Sequence, residues 1–214
     1  MAGMQAERNE IVRYGKKLIT SRLTTGTGGN LSIIDREKGL VAISPSGIEY
    51  FEMEPEDIVI VDLNGAVKEG TRAPSSELSA HLALYRHRDD IGAVLHTHSA
   101  YATTIACLNL ELPAVHYLVG FAGKKVPLAP YATYGSEELA ENICNTIGLN
   151  NAVLLANHGL ITVGKDITTA FIIAEEIELV ARIYCQAKSA GEPVILSDGE
   201  MERVIDKFKT YGQQ

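Results

Sequence analysis

The sequence has few of the features that mark a secreted, disulfide-bonded or membrane-spanning protein. It has no tryptophan and only three cysteines in 214 residues, Cys107, Cys144 and Cys185. Their wide spacing fits no zinc pattern, and an odd number leaves one unpaired in a monomer, so we expect reduced thiols. No apolar stretch approaches the ~20 residues that span a bilayer. The first seven residues also lack the basic segment and apolar core of a signal peptide, and we therefore expect a cytoplasmic protein.

Positive charge is also in deficit. The chain has 19 lysines and arginines against 27 acidic residues, a formal net charge of −8. Without a basic stripe to neutralise phosphates, nucleic acid is not an expected partner, and an anionic substrate would need a local binding site. No linker or internal repeat divides the sequence, and 46% of its residues are hydrophobic. We therefore predict a single domain over residues 1–214 that acts on a small molecule.

The most informative stretch is a short apolar run that leads into two histidines. Residues 91–95 predict a buried strand, and His96 and His98 follow it on a shared face because strand side chains alternate. A second apolar run, residues 152–156, leads to a third histidine, His158. Two histidines at a strand end can be ordinary core residues, but the third favours a metal site. Neutral imidazole suits zinc, and a catalytic zinc takes three protein ligands with one open position.

Three short segments offer neutral hydrogen-bond donors. Residues 26–32 contain three glycines and an asparagine, residues 44–47 read Ser-Pro-Ser-Gly, and Ser75 and Ser76 precede an apolar run that predicts a helix start. Glycine-rich turns and helix starts expose backbone N–H groups that bind anions. Glycine clusters are more often plain turns, and this one matches no nucleotide-binding pattern. Together, however, the three segments predict a site for a phosphorylated substrate.

Glu77 follows the second serine, so its carboxylate would lie between the anion-binding segments and the histidines. A simpler interpretation is that it complements the helix dipole. A metal that polarises a carbonyl acidifies the adjacent C–H bond, a carboxylate can take that proton, and the metal stabilises the enediolate. Retro-aldol cleavage uses the same parts in reverse. We interpret His81, four residues on, as a core histidine or a support for the site, and assign His116 no role.

Taken together, these motifs resemble the class II aldolase/adducin family. They occur in order across nearly the whole chain as GTGGNLS (26–32), SPSG (44–47), PSSE (74–77), HTH (96–98) and NHGL (157–160). The resemblance implies an α/β fold, with a single three-layer α/β/α domain, a largely antiparallel central sheet and assembly as a homotetramer. It also implies one Zn²⁺ per subunit, bound by His96, His98 and His158, with Glu77 as a fourth ligand that yields to substrate and then acts as the base.

The resemblance also implies roles for the other site residues. The substrate phosphate would be bound by Gly29, Asn30, Ser46, Gly47, Ser75 and Ser76. Tyr117 and Tyr211 would reach a neighbouring subunit's site and act on the aldehyde and its proton. Tyr134 stands where the family pattern has phenylalanine, so the aldehyde pocket departs from that pattern and the substrate preference could differ.

Within the family, the sequence is most similar to the members that cleave L-fuculose 1-phosphate to dihydroxyacetone phosphate and L-lactaldehyde in carbohydrate degradation. The alternatives are a ribulose-5-phosphate 4-epimerase or a methylthioribulose-1-phosphate dehydratase. Ser44 weighs against the epimerase, whose pattern has lysine at that position. A zinc hydrolase would not need three anion-binding segments. A non-catalytic module like the adducin head would not need the three histidines and Glu77.

Overall fold

The computed structural model describes residues 3–210. Within this range, eight strands form a single sheet. Its strands are β1 (Asn30–Asp35), β2 (Leu40–Ile43), β3 (Val59–Asp62), β4 (Val67–Glu69), β5 (Ala93–Thr97), β6 (Leu128–Ala129), β7 (Ala152–Leu155) and β8 (Gly159–Gly164). The helices are α1 (Gln5–Thr20), α2 (Leu78–His87), α3 (Ala100–Cys107), α4 (Glu137–Ile147), α5 (Ile167–Ala190) and α6 (Asp198–Phe208). Two 3₁₀-helices, Pro55–Asp57 and Tyr117–Phe121, complete the described elements.

The sheet is mixed, with the strand order β4-β3-β2-β1-β5-β8-β7-β6. Its neighbouring strands pair antiparallel except for β6 and β7, which pair in parallel. The predicted largely antiparallel sheet is therefore corrected to a mixed sheet, in which one of the seven pairings within residues 3–210 is parallel. The physical reason is the helix between these two strands, since α4 provides the crossover connection that parallel neighbours require.

Helices cover both faces of the sheet at β5. Ala93 and Leu95 lie in an apolar cluster with side chains of α1 and α5, whereas Val94 packs with side chains of α2 and α4. Consecutive side chains of a strand point to opposite faces, so this strand is buried on both sides. Such a strand needs an uninterrupted apolar run, which is the pattern in this part of the sequence.

The sequence predicts helix starts at Ser136 and Asp166, since each precedes a run that is typical of a helix, and both predictions are confirmed. Ser136 caps α4 and Asp166 caps α5, each by accepting the N–H of the residue three positions on. Residues 114–118, whose largely apolar sequence AVHYL predicts a strand, do not form one. They lead instead into the 3₁₀-helix Tyr117–Phe121, where the N–H of Val119 donates to the carbonyl of His116. No helix within residues 3–210 is long and apolar enough to cross a bilayer.

The register of three adjacent strands determines where the predicted site residues meet. Asn30 at the start of β1 lies opposite His96 of β5, and His96 lies opposite Ile161 of β8. Gly159 begins β8 and pairs with Leu155 at the end of β7. One end of the sheet therefore brings together residues that are far apart in sequence.

Candidate active site

Three histidines converge at this end of the sheet. His96 lies within β5, His98 directly follows that strand, and His158 lies in the turn between β7 and β8. One ring nitrogen from each lies within 4.8 Å of the other two, and the Nε2 atoms of His96 and His98 are 2.9 Å apart. The sequence predicted a strand ending in His158, but Asn157, with a φ of 54°, takes part in a turn that reverses the chain first.

The local contacts of His96 leave one of its nitrogens available as a ligand. The ring is 1% exposed, and its Nδ1 lies 3.1 Å from the carbonyl oxygen of Leu160. Because a carbonyl only accepts, Nδ1 carries the proton and Nε2 keeps its lone pair. Burial, followed by the nearby His158 and His98, lowers the pKa of His96 well below its usual value. Burial also lowers the pKa of His98. Both rings are thus held neutral, as metal binding requires.

Glu77 contributes a carboxylate to the same cluster. Its Oε2 lies 3.2 Å from His96 Nε2, and its Oε1 lies 3.3 Å from His158 Nε2. The residue directly precedes α2, where its backbone N–H donates to the Ser75 hydroxyl over 3.2 Å. The turn before the helix therefore orients Glu77, and only 8% of the residue is exposed.

Two glycines allow the backbone to approach closely around the histidines. A Cβ on Gly159 would lie 2.3 Å from the carbonyl oxygen of Thr97 and 3.2 Å from both the Cε1 of His96 and the Cδ2 of His98. A Cβ on Gly29 would lie 2.6 Å from the carbonyl oxygen of His96. Gly29 also has a φ of 72°, in the left-handed region that favours glycine. Both positions need a residue without a side chain.

A cavity of about 400 Å³ opens beside the cluster. It is lined by all six predicted phosphate ligands together with Glu77, His98, His158 and Tyr134. None of the described lining residues is lysine or arginine, so the donors that it offers are uncharged hydroxyl, side-chain amide, imidazole and backbone N–H groups. The loops of this wall are joined to each other, because Ser46 N–H donates to the Ala73 carbonyl and Ser75 N–H to the Ser44 carbonyl. Ser44 itself is buried, and its hydroxyl accepts the N–H of Leu31.

The predicted tyrosines lie in different places. Tyr134 lines the cavity and is 66% exposed. Tyr117 is 48% exposed, its ring lies against His116 and Phe208, and it does not line the cavity. Tyr211 lies outside the described residues.

Sequence reasoning missed several contacts of the site. The sequence assigns Asn30 to the phosphate but does not predict its side-chain contacts: Nδ2 donates to Glu77 Oε2 over 2.8 Å, and Oδ1 faces His81. The Tyr50 hydroxyl donates to the Gly29 carbonyl over 2.9 Å, and burial raises the pKa of this phenol. No local pattern indicates either contact. Tyr131 also lines the cavity, and its spacing of three residues from Tyr134 gives no indication of this, because extended residues three apart point to opposite sides.

The donor set fits a zinc-like ion. Zinc lies 2.0–2.1 Å from an imidazole nitrogen, so two ligand atoms on one tetrahedral ion are ~3.3 Å apart. The distances between Nε2 of His96 and Nε2 of His98, and from Glu77 to His96 and His158, are 2.9, 3.2 and 3.3 Å. Neutral nitrogens and a carboxylate also match the ligand types that zinc prefers.

Comparison with known proteins agrees with this geometry. The sequence matches the class II aldolase and adducin N-terminal domain over residues 9–185. The 5-deoxy-D-ribulose 1-phosphate aldolase of Bacillus thuringiensis serovar kurstaki is 59% identical over 211 residues, which cover 99% of both chains. The L-fuculose phosphate aldolase of Escherichia coli K12 is 40% identical over 96% of this chain and 97% of that protein. A solved structure of L-fuculose 1-phosphate aldolase superposes with a TM-score of 0.95 at 53% identity, over 98% of each chain. This chain therefore belongs to the class II aldolase and adducin family.

Proposed function

We propose that this chain is a zinc-dependent aldolase that cleaves a ketose 1-phosphate to dihydroxyacetone phosphate and a short aldehyde. The observation that carries this proposal is a single cavity in which a histidine cluster and a carboxylate face a wall of uncharged donors. A zinc ion held by His96, His98, His158 and Glu77 would supply a Lewis acid for the substrate carbonyl. Membership of an aldolase family supports the reaction class.

Glu77 is the group that we propose moves the proton. In the condensation direction it takes a proton from the carbon next to the carbonyl of dihydroxyacetone phosphate, and in cleavage it returns a proton to that carbon. Its position between the histidines and the donor wall supports this role. Tyr117 and Tyr211 are proposed to serve a neighbouring subunit's site at the aldehyde end. The exposure of Tyr117 on the surface supports an action outside its own subunit.

The phosphate is proposed to bind the donor wall formed by Gly29, Asn30, Ser46, Gly47, Ser75 and Ser76. At Asn30 the side-chain amide is engaged elsewhere, so we assign its contribution to the backbone. Neutral donors bind an anion through directed hydrogen bonds, each worth ~1.5–3 kcal/mol when the partner is charged. Because these donors carry no net charge, they do not attract anions over a distance. Recognition of the phosphate therefore depends on the placement of the donors.

We propose 5-deoxyribulose 1-phosphate as the first candidate substrate, because the relative named for it is 59% identical over nearly the whole of both chains. Its cleavage would give dihydroxyacetone phosphate and acetaldehyde. L-fuculose 1-phosphate, the substrate that the sequence resemblance predicts, is the second candidate and is favoured by the structural match with a TM-score of 0.95. Both sugars end in a methyl group, so the aldehyde pocket that includes Tyr134 would have to accept that methyl group.

A coupled assay for dihydroxyacetone phosphate tests this proposal. Both candidates are supplied to the purified protein, with and without a chelator, and ribulose 5-phosphate and methylthioribulose 1-phosphate are included to detect epimerase or dehydratase activity. We expect dihydroxyacetone phosphate from one or both candidates, loss of the activity on chelation, and its return with added zinc. Epimerisation of ribulose 5-phosphate without any cleavage would overturn the aldolase assignment.

The role of Glu77 has its own matched test. Glu77→Gln keeps the size of the side chain but removes the base, and we expect zinc to remain bound while turnover falls by about 10²–10⁴-fold. Glu141→Gln, an exposed position on α4, is the control and is expected to keep full turnover. Unchanged turnover in Glu77→Gln would rule out this residue as the base.

We also propose, from the family resemblance, a homotetramer in the cytoplasm that takes part in sugar-phosphate degradation. Helices on both faces of β5 support a three-layer α/β/α arrangement for the domain. Size-exclusion chromatography with light scattering would test the subunit number, and a monomer that is fully active would overturn the assignment of Tyr117 to a neighbouring site.

A further inference from the structure

A chain of buried polar side chains runs from Glu77 into the core beneath the site. Asn30 Nδ2 donates to Glu77 Oε2 over 2.8 Å, and Asn30 Oδ1 lies 2.5 Å from His81 Nε2. On the other side of the same imidazole, Ser32 Oγ lies 2.6 Å from His81 Nδ1 and 2.7 Å from the Tyr85 hydroxyl. His81, Ser32 and Tyr85 are at most 1% exposed, and Asn30 is 4% exposed. A fully bonded network of this kind is costly to break at any link.

The direction of each hydrogen bond in this chain follows from Glu77. A carboxylate only accepts, so the amide nitrogen of Asn30 must face it, and the amide oxygen must then accept from His81 Nε2–H. Burial lowers the pKa of His81 to about 3, which keeps the ring neutral with a single N–H. Nδ1 of His81 is therefore an acceptor for the Ser32 hydroxyl, whose oxygen can accept from Tyr85. Each hydrogen bond in this network is therefore donated in the direction of Glu77.

We propose that His81 is a positioning residue that fixes the orientation of the Glu77 carboxylate through Asn30. His81 does not line the cavity, and its ring nitrogens face Ser32 and Asn30, so its link to Glu77 runs through that amide. Without the His81 N–H, the amide group of Asn30 is free to rotate and to present its oxygen to Glu77, where two acceptors repel. The carboxylate would then lose the donor that holds Oε2 in place.

Two amide variants of His81 separate this role from a merely structural one. The amide nitrogen of His81→Gln reaches the place of Nε2 and can still donate to Asn30. The amide nitrogen of His81→Asn reaches only the place of Nδ1, on the side of Ser32. His81→Leu removes both nitrogens at similar volume, and His87→Leu changes an exposed histidine of the same helix as a control.

Zinc affinity is measured by competition with a chromophoric chelator, and coordination by the visible spectrum of the Co²⁺-loaded protein. For each variant, kcat and KM are then measured with the ketose phosphate that the wild type cleaves. Groups that orient a metal ligand typically contribute 10–100-fold to affinity or activity. We expect His81→Leu and His81→Asn to lose about tenfold or more in zinc affinity and kcat, with an altered cobalt spectrum and KM within about twofold. His81→Gln should recover most of both losses, and His87→Leu should match the wild type.

The inference rests on the proposed function, and the two fail in different ways. If the wild type binds no zinc, the proposed function is overturned and the inference with it. If the wild type binds zinc but His81→Asn equals His81→Gln in affinity, spectrum and kcat, the inference alone is overturned. The comparison of these two polar variants decides the question even if His81→Leu fails to fold.

Discussion

The close approach of Gly159 to β5 gives the sharpest test of the site geometry. A Cβ at this position would lie 2.3 Å from the carbonyl oxygen of Thr97, whereas carbon and oxygen atoms in contact are usually about 3.3 Å apart or more. Gly159→Ala therefore has to move the start of β8 or the end of β5 by about 1 Å. Gly159 does not have a positive φ, so the expected penalty is steric and not conformational.

The expected cost can be stated for both stability and activity. Overpacking of this kind costs ~1–3 kcal/mol, and at ~2–4 °C per kcal/mol for a chain of this size the melting temperature should fall by about 2–12 °C. The movement would also displace His158 relative to His96 and His98, because Gly159 directly follows His158. A misplacement of about 1 Å can reduce catalysis by about 10²-fold. Zinc affinity should fall with turnover.

Thermal denaturation, zinc titration and the dihydroxyacetone phosphate assay together measure these effects. Gly199→Ala in α6 is the matched control, because a Cβ there meets nothing within 4 Å. It should stabilise the protein by ~0.5–1 kcal/mol through the lower backbone entropy of the unfolded chain. A Gly159→Ala variant with the melting temperature, zinc affinity and turnover of the wild type would refute the close packing of β8 on β5.

Three further predictions follow from the site. His158→Ala should lower zinc affinity by more than the ~10–100-fold expected for groups that only support a ligand, and equilibrium dialysis that finds full zinc occupancy at low zinc would contradict the ligand assignment. Ser46→Ala should raise KM for the ketose phosphate about tenfold, because one hydrogen bond to a charged group, worth ~1.5 kcal/mol, would be lost. An unchanged KM would show that Ser46 does not belong to the donor wall. Urea denaturation of the metal-free protein should show stability falling as the pH drops below 6.5, because the unfolded chain protonates His81 near its ordinary pKa while the folded chain keeps it neutral to about 3. His81 alone should lower the free energy of unfolding by ~2 kcal/mol at pH 5. His81→Gln should therefore show a weaker dependence of that free energy on pH, and an equal dependence in the two proteins would show that the acid sensitivity arises elsewhere.

The sequence predicts the chemical groups of the site better than their mutual support. The clustering of His96, His98 and His158 is confirmed, and the cavity gathers Glu77 with the predicted donor segments. Those residues stand in short motifs whose side chains indicate their chemistry, because histidine is a common metal ligand and serine and glycine segments bind anions. The Asn30 contacts with Glu77 and His81 come from segments about fifty residues apart, and the packing of α2 on β1, which no local pattern encodes, makes them neighbours.

The fold shows the same division between local and long-range information. The helix starts at Ser136 and Asp166 are local hydrogen-bond patterns, and both are confirmed. The predicted strand at residues 114–118 is wrong, because an extended apolar segment becomes a strand only where the sheet offers it a neighbour. The parallel pairing of β6 with β7 likewise depends on where α4 leads the chain, and alternation of side chains carries no information about that.

The candidate metal ligands come from three separate parts of the chain, at positions 77, 96 to 98 and 158. An ion held there would act as a crosslink between segments that the unfolded polypeptide keeps far apart. Because the ion would bind the native state and not the unfolded chain, it would raise the free energy of unfolding. The increase would be about 4 kcal/mol when the concentration of free zinc is a thousand times its dissociation constant. The availability of zinc in the cell would then determine how long each copy of the enzyme survives, as well as whether it works.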